Sequence, residues 1–251
     1  MIDFVGAGPG AADLITLRGK EKLEQADIVI YAGSLVNPEL LSYTSNGCEI
    51  HNSASMTLEQ VMDVMIRGEK EGKRVVRLHT GDPCIYGAIR EQMDLLDQAS
   101  ISYAVTPGVS SFIGAAAALK AEFTLPDVSQ TVILTRMAGR TPVPEREEIS
   151  RLASHHATMV VFLSAGMLGA LSKQLTDGGY EPETPAAIVY KATWPDEKVV
   201  YTTVENLEKS AQREGISKTA LILVGDFLGD TYERSQLYHP AFTHEFREAS
   251  I

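Results

Sequence analysis

Three strand-like runs in the first half of this chain each end abruptly in a glycine-bearing turn. Ile2–Val5 runs into Gly6-Ala7-Gly8-Pro9-Gly10, Arg74–Leu78 into His79-Thr80-Gly81-Asp82-Pro83, and Tyr103–Val105 into Thr106-Pro107-Gly108-Val109-Ser110-Ser111. Glycine lets backbone approach backbone or ligand and opens turns closed to other residues. In open α/β folds, ligands bind outside the carboxyl ends of the strands, on such turns. Three of them in one domain are expected along one sheet edge, which implies a small-molecule cleft without naming the molecule.

The pattern around these turns is α/β. Ile28–Tyr31 reads as a further buried strand, and Leu17–Gln25, Leu58–Lys70, Ala88–Leu96 and Val109–Leu119 read as helices. Strict alternation predicts a mostly parallel sheet with both faces covered. The alternation pauses over Ala121–Gln130, which sets a domain boundary: residues 1–120 form an N-terminal α/β domain and 121–251 a C-terminal one. The second series runs through Thr131–Thr135, Glu145–Ala153, Thr158–Leu163, Leu168–Asp177, Ala186–Tyr190, Lys198–Thr203, Val204–Arg213 and Ala220–Val224. Lys198–Thr203 follows Ala186–Tyr190 across a short Trp194-Pro195-Asp196 turn, so an antiparallel pair and a mixed sheet are expected. No clear element is read after Asp226.

Bulk properties exclude several functions. The net charge of −11 counts against non-specific nucleic-acid binding and against anionic membranes. The two cysteines, Cys48 and Cys84, form neither a disulfide framework nor a metal clip, and the six histidines show no zinc spacing. No apolar run has the length of a membrane span. The chain opens directly on a strand, so no signal peptide is expected and the cytoplasm is the default location. There is no G-x-x-x-x-G-K-[ST] and no G-x-S-x-G.

Individual motifs leave alternatives open. With Ala11 counted, the first turn fits G-x-G-x-x-A, but a dinucleotide site asks for an acid at the end of the second strand. That strand ends Tyr31-Ala32-Gly33-Ser34. Pro9 also removes a backbone donor where a pyrophosphate needs one. Asp82 either receives a ligand hydrogen bond or caps its own turn. Ser110 and Ser111 either cap a helix or touch a ligand. His79 is either a site-lining or a satisfied buried imidazole.

Taken together, G-A-G-P-G, L-H-T-G-D-P-C-I-Y-G and P-G-V-S-S resemble the tetrapyrrole methylase family. Three longer stretches resemble one branch of it: Tyr31 to Val36, Gln130 to Arg136 with Gly139 to Pro144, and Val189 to Glu197. The resemblance runs to about Gly225 and touches Phe242-Thr243-His244 in the tail. It implies two α/β domains with S-adenosylmethionine folded into a cleft between them, and a homodimer. The implied reaction is methylation of carbon 11 of a precorrin-4 or cobalt-precorrin-4 ring in cobalamin synthesis. The implied cofactor contacts are Pro9, Thr80, Gly81, Asp82, Ile85, Ser110 and Ser111, with Ser164, Ala192 and Ala220 from the second domain. The sequence departs from the family at Gly33, where similar enzymes are expected to carry aspartate. No catalytic base and no metal ligand are assigned.

A flat ring bearing many carboxylates asks an acidic protein to concentrate cations locally. The candidates are Arg77, Arg136, Arg140 and Lys191, of which Arg136 and Arg140, flanking Met137 in a polar loop, rank first. Tyr31, Tyr86, Met137 and Trp194 are candidates for apolar or stacking surface, and Ser34 and His79 for polar contacts. The competing readings are a superfamily relative that methylates ribosomal RNA or a translation factor, a nicotinamide-dependent oxidoreductase, and a binding module without turnover.

Overall fold

In a computed structural model, residues 1–250 are described. The chain divides into two compact units, Met1–Ala115 with Lys191–Glu197, and Ala116–Tyr190 with Lys198–Ile251.

The first unit is built on β1 (Ile2–Gly6), α1 (Leu17–Gln25), β2 (Ile28–Tyr31), β3 (Glu49–Asn52), α2 (Leu58–Lys70), β4 (Val75–His79), α3 (Arg90–Gln98), β5 (Tyr103–Thr106) and the start of α4 (Ser111–Leu119). Its five strands lie in the order β3-β2-β4-β1-β5, all parallel. Every residue of β1 and β4 is buried, as a sheet covered on both faces requires. One face packs Leu23, Val29, Leu40 and Leu78 together, and the other Phe4, Ile30, Met65 and Leu96. Helix starts follow the sequence: Thr16 caps α1, and Thr57 with Gln60 forms a reciprocal capping box on α2. The edge strand β3 gave no sequence signal, because its residues alternate between half-buried and exposed. α4 starts at Ser111 rather than at Val109, since the Gly108 N–H is bound by Asp82 and the chain has not yet turned helical there.

The second unit holds β6 (Val132–Arg136), α5 (Ile149–Ala153), β7 (Thr158–Phe162), α6 (Leu168–Asp177), β8 (Pro185–Tyr190), β9 (Lys198–Thr203), α7 (Leu207–Glu214) and β10 (Ala220–Val224). The strand order is β6-β7-β10-β8-β9. Only β6 and β7 are parallel; β10 runs antiparallel to β7 and β8, and β8 to β9, so the sheet is mixed as expected. The run Glu145–Ala153 divides into a 3-10 turn and a short helix, because Glu148 is extended between them. Among the described residues, the tail from Asp226 onward holds two 3-10 turns and an isolated antiparallel bridge between His244 and Arg247. No helix among the described residues is long and apolar enough to cross a membrane.

The segment Lys191–Glu197, read from sequence as part of the second domain, belongs to the first unit. The cause is local. Thr193 Oγ1 accepts the Ala11 N–H at 3.0 Å, and the Trp194 ring fills the space where a side chain on Gly10 would stand.

Candidate functional site

The three glycine-bearing turns leave adjacent strands, β4, β1 and β5, at the carboxyl edge of the parallel sheet. They are laced together by backbone. The Ala7 N–H donates to the His79 carbonyl at 2.7 Å; Gly8 and Gly81 exchange N–H to carbonyl bonds at 3.2 and 2.9 Å. Gly6 and Gly108 meet each other and the Gly81 carbonyl so closely that side chains are excluded, and Gly81 itself takes φ +61°. A Cβ on Gly6 would stand 2.5 Å from the Gly108 backbone, and one on Gly108 would stand 2.8 Å from the Gly6 Cα and overlap the Gly81 carbonyl. This is the physical content of the glycine pattern: three loops share one junction that only glycine admits.

Asp82 fastens the junction. One carboxylate oxygen accepts the Cys84 N–H at 2.8 Å, capping its own turn, and the other accepts the Gly108 N–H at 2.9 Å. Of the two roles raised by the sequence, the structure shows the cap, since Asp82 bonds its own turn, and adds a bond to the neighbouring loop. Thr80, Gly81 and Ile85 lie on the same loop, and the Ile85 N–H returns to the Asp82 carbonyl. Ser110 is buried at the head of α4, its carbonyl receiving the Ile113 and Gly114 N–H groups, and Ser111 is half-buried. Pro9 is buried, and its ring lies 2.8 Å from where a Cβ on Gly114 would be. Ala192 is buried in the segment bound to the first turn.

Two buried polar atoms at this edge have no hydrogen-bond partner: His79 Nε2 and Thr80 Oγ1. Buried polar groups are almost always paired, so two adjacent orphans make this edge the candidate site. His79 is 4% exposed, and burial, aided by the Arg77 charge, pushes its imidazole down to about 3. It is neutral at physiological pH.

The remaining candidates divide. Tyr31 is half-buried, and Tyr86 is 47% exposed with left-handed backbone. The side chain of Ser34 lies outside the described residues. Gly33 has φ +50°, and a Cβ there would stand 2.5 Å from the Ala54 methyl, so the missing aspartate has no room. Lys191 pairs with Asp196 at 2.6 Å and sits over the Trp194 ring. Arg77, weighed as a substrate cation, is buried within the sheet and bonded to Ile30 and Gln92 instead.

In the second unit, Arg136 donates to the carbonyls of Met137, Thr141 and Pro142, strapping its own loop. Arg140 on that loop is exposed. Met137, read as substrate-facing, is 4% exposed and packs into the core of the mixed sheet; its thioether is spent on that packing. Ser164 is fully buried, donating to the Phe162 carbonyl at 2.7 Å and accepting the Met137 N–H at 3.0 Å. Ala220 opens β10 opposite Tyr190. Among the described residues no three His, Cys, Asp or Glu side chains are placed to hold a metal. Gln92, whose amide joins Arg77 to this edge, gave no sequence signal, being one polar residue on an amphipathic helix.

Known proteins supply the chemistry this geometry lacks. The family model of the Tetrapyrrole (Corrin/Porphyrin) Methylases matches residues 1–208. A Methanocaldococcus jannaschii protein named cobalt-precorrin-4 C(11)-methyltransferase is 53% identical over 98% of this chain and 95% of its own. A Mycobacterium tuberculosis protein named precorrin-4 C(11)-methyltransferase is 43% identical over 95% of this chain and 96% of its own. The X-ray structure of a cobalamin biosynthetic enzyme, cobalt precorrin-4 methyltransferase, superposes with a TM-score of 0.89 at 48% identity, covering 91% of this chain and 96% of that one.

Proposed function

Since the chain belongs to the tetrapyrrole (corrin/porphyrin) methylases, we propose that it is the S-adenosylmethionine-dependent enzyme that methylates carbon 11 of a precorrin-4-type ring in cobalamin synthesis. The observation that carries the assignment of the donor site is the laced edge with its two unspent polar atoms, His79 Nε2 and Thr80 Oγ1. Pro9, Thr80, Gly81, Asp82, Ile85 and Ser110 lie on the loops of that edge, Ser111 opens α4, and Ala192 sits in the segment bonded to the first turn; these residues are proposed to hold the donor.

When bound, S-adenosylmethionine supplies an electrophilic methyl group on a sulfonium. An anion beside that sulfonium would stabilise the ground state more than the charge-dispersed transition state and slow transfer. Each oxygen of Asp82 accepts a backbone N–H, so its proposed part is to hold the loops in shape and not to face the sulfonium. His79, with its imidazole held near 3, is too weak a base to take a proton from the ring at neutral pH, yet it presents a neutral Nε2 to a ligand. The chain's contribution is then alignment, and orientation alone supplies about 7–11 kcal/mol of a bimolecular barrier. Arg140 and Lys191 are proposed to meet ring carboxylates, with Tyr31 and Tyr86 as apolar surface.

The cobalt-containing ring is the favoured substrate, because identity is higher to the relative named for it, 53% against 43% for the one named for the metal-free ring. A homodimer in the cytoplasm, without nucleic-acid partners, completes the proposal. Methyl-labelled S-adenosylmethionine is incubated with each ring form and the label located by carbon NMR. Label on carbon 11 supports the reading. Label elsewhere, or no turnover with either ring, sinks it.

A further inference from the structure

Arg77 is a buried cation with no carboxylate beside it. It stands in the middle of β4, 7% exposed, and burial alone pulls it down to about 10. Burying a charge without a counter-charge is expensive, and an apolar side chain of similar length would be cheaper. The guanidinium donates to the Ile30 carbonyl at 3.1 Å and to Gln92 Oε1 at 3.3 Å. A guanidinium has donors only, so it forces the Gln92 amide to present its oxygen inward and its NH2 outward. That NH2 donates to the Ala88 carbonyl at 2.9 Å.

Ala88 is the last residue of the loop joining β4 to α3 before the helix cap, Ile89, which has no capping side chain. The loop is strained: Gly81, Tyr86 and Ala88 all take left-handed backbone, with φ of 61°, 55° and 50°. Non-glycine residues persist in that region only where their surroundings hold them. At its start the loop is held by the Gly8–Gly81 backbone pair and by Asp82; at its end, by the Gln92 amide.

We propose that Arg77 is a positioning residue for methyl transfer: through Gln92 it locks Ala88, and so fixes the loop Thr80–Ala88 in the shape that receives the donor. This rests on the reading above that this loop holds S-adenosylmethionine. The competing account is that Gln92 merely satisfies a buried arginine.

Gln92→Glu separates the two. The carboxylate keeps the acceptor for Arg77 and adds a counter-charge, but it has no donor for Ala88 and sets a second oxygen against that carbonyl. If Gln92 only satisfies Arg77, the variant is at least as stable as the parent and binds S-adenosylhomocysteine equally. If the relay positions the loop, the thermal midpoint holds while affinity for S-adenosylhomocysteine falls about tenfold, the effect of losing one buried hydrogen bond. The KM for the donor should rise by the same factor, that for the ring should not, and amide exchange at 84–89 should quicken. Arg77→Met, which frees the amide to turn over, should shift donor affinity in the same direction, and Arg77→Lys should restore part of it. The unmodified protein is the control. If it fails to bind S-adenosylhomocysteine, or binding leaves exchange at 80–88 unchanged, the donor-loop reading falls. If it binds and protects that loop while Gln92→Glu matches it, the relay falls alone.

Discussion

The carboxyl edge of the parallel sheet and the first loops of the mixed sheet carry candidate residues of the same kinds, yet they use their polar atoms in opposite ways. On the mixed sheet, the Ser164 hydroxyl makes two hydrogen bonds, and the Arg136 guanidinium makes three to its own loop. On the parallel sheet, the backbone and Asp82 do the structural bonding, and His79 Nε2 and Thr80 Oγ1 are left over. An unpaired buried polar atom costs about 1–3 kcal/mol. A fold keeps such a cost where something else repays it, so the two adjacent unspent atoms at this edge, rather than the polar residue types, are the ground on which the donor site is proposed there.

The comparison is broken most severely at the glycine junction. Gly108→Ala forces a methyl onto the Gly81 carbonyl and toward the Gly6 Cα, all of it backbone, which cannot rotate away. The loops must part. We expect destabilisation of about 3 kcal/mol, with binding of S-adenosylhomocysteine lost in calorimetry. An alanine at Gly47, whose added Cβ would meet nothing within 4 Å, is the control and should leave both unchanged.

His79 tests whether the unspent atoms carry a stability cost. Its imidazole sits near 3 in the folded chain against an ordinary 6.5 when unfolded. Between those values the unfolded chain binds the extra proton, so acidification favours unfolding. The folded state is fully stable in this respect above about pH 6.5 and loses stability steadily as the pH falls toward 3. From pH 7 to 5 the loss should be about 2 kcal/mol, read as the difference between the parent and His79→Gln in urea titrations at the two pH values. Identical pH dependence in the two proteins would mean that His79 is solvated.

Ser164→Ala sharpens the other side. The hydroxyl satisfies the Met137 N–H in a fully buried place. Its removal should cost about 1–2 kcal/mol of stability, with donor affinity within about twofold, since a spent hydroxyl has nothing left for a ligand. A large fall in affinity at small cost in stability would show that this hydroxyl serves the donor after all.

What the sequence made legible follows the same division. The glycine turns could be read because the backbone leaves few choices of residue: Gly6 and Gly108 are dictated by each other and by the Gly81 carbonyl, and Gly81 by its left-handed φ. The two sheets were legible from alternation and from the short turn at Trp194. Partner choice was not. Nothing in the sequence tells that Arg136 is consumed by carbonyls one to six residues away, or that Met137 turns into the core. The segment Lys191–Glu197 was assigned to the wrong unit because sequence order was followed, whereas a single threonine and one tryptophan bind it to the first turn. The Arg77–Gln92–Ala88 relay is silent for a related reason: its members lie 4 to 15 residues apart on two elements, and no spacing rule joins them.

Arg140 draws the finest distinction. It projects from the loop that Arg136 straps down, and it is exposed, so it is a charge on a fixed platform rather than part of the fabric. Arg140→Ala removes the charge and leaves the strap. Stability should stay within about 0.5 kcal/mol. An exposed ion pair is worth about 0.2–1 kcal/mol, so the KM for the ring should rise only about threefold, with donor KM unchanged and the salt dependence of ring binding made shallower. Arg136→Ala should instead lower stability as well, since three carbonyls lose their donor. If Arg140→Ala leaves ring KM and its salt dependence untouched, the ring carboxylates are met elsewhere, and Lys191, half-exposed beside Trp194, becomes the cation to remove next.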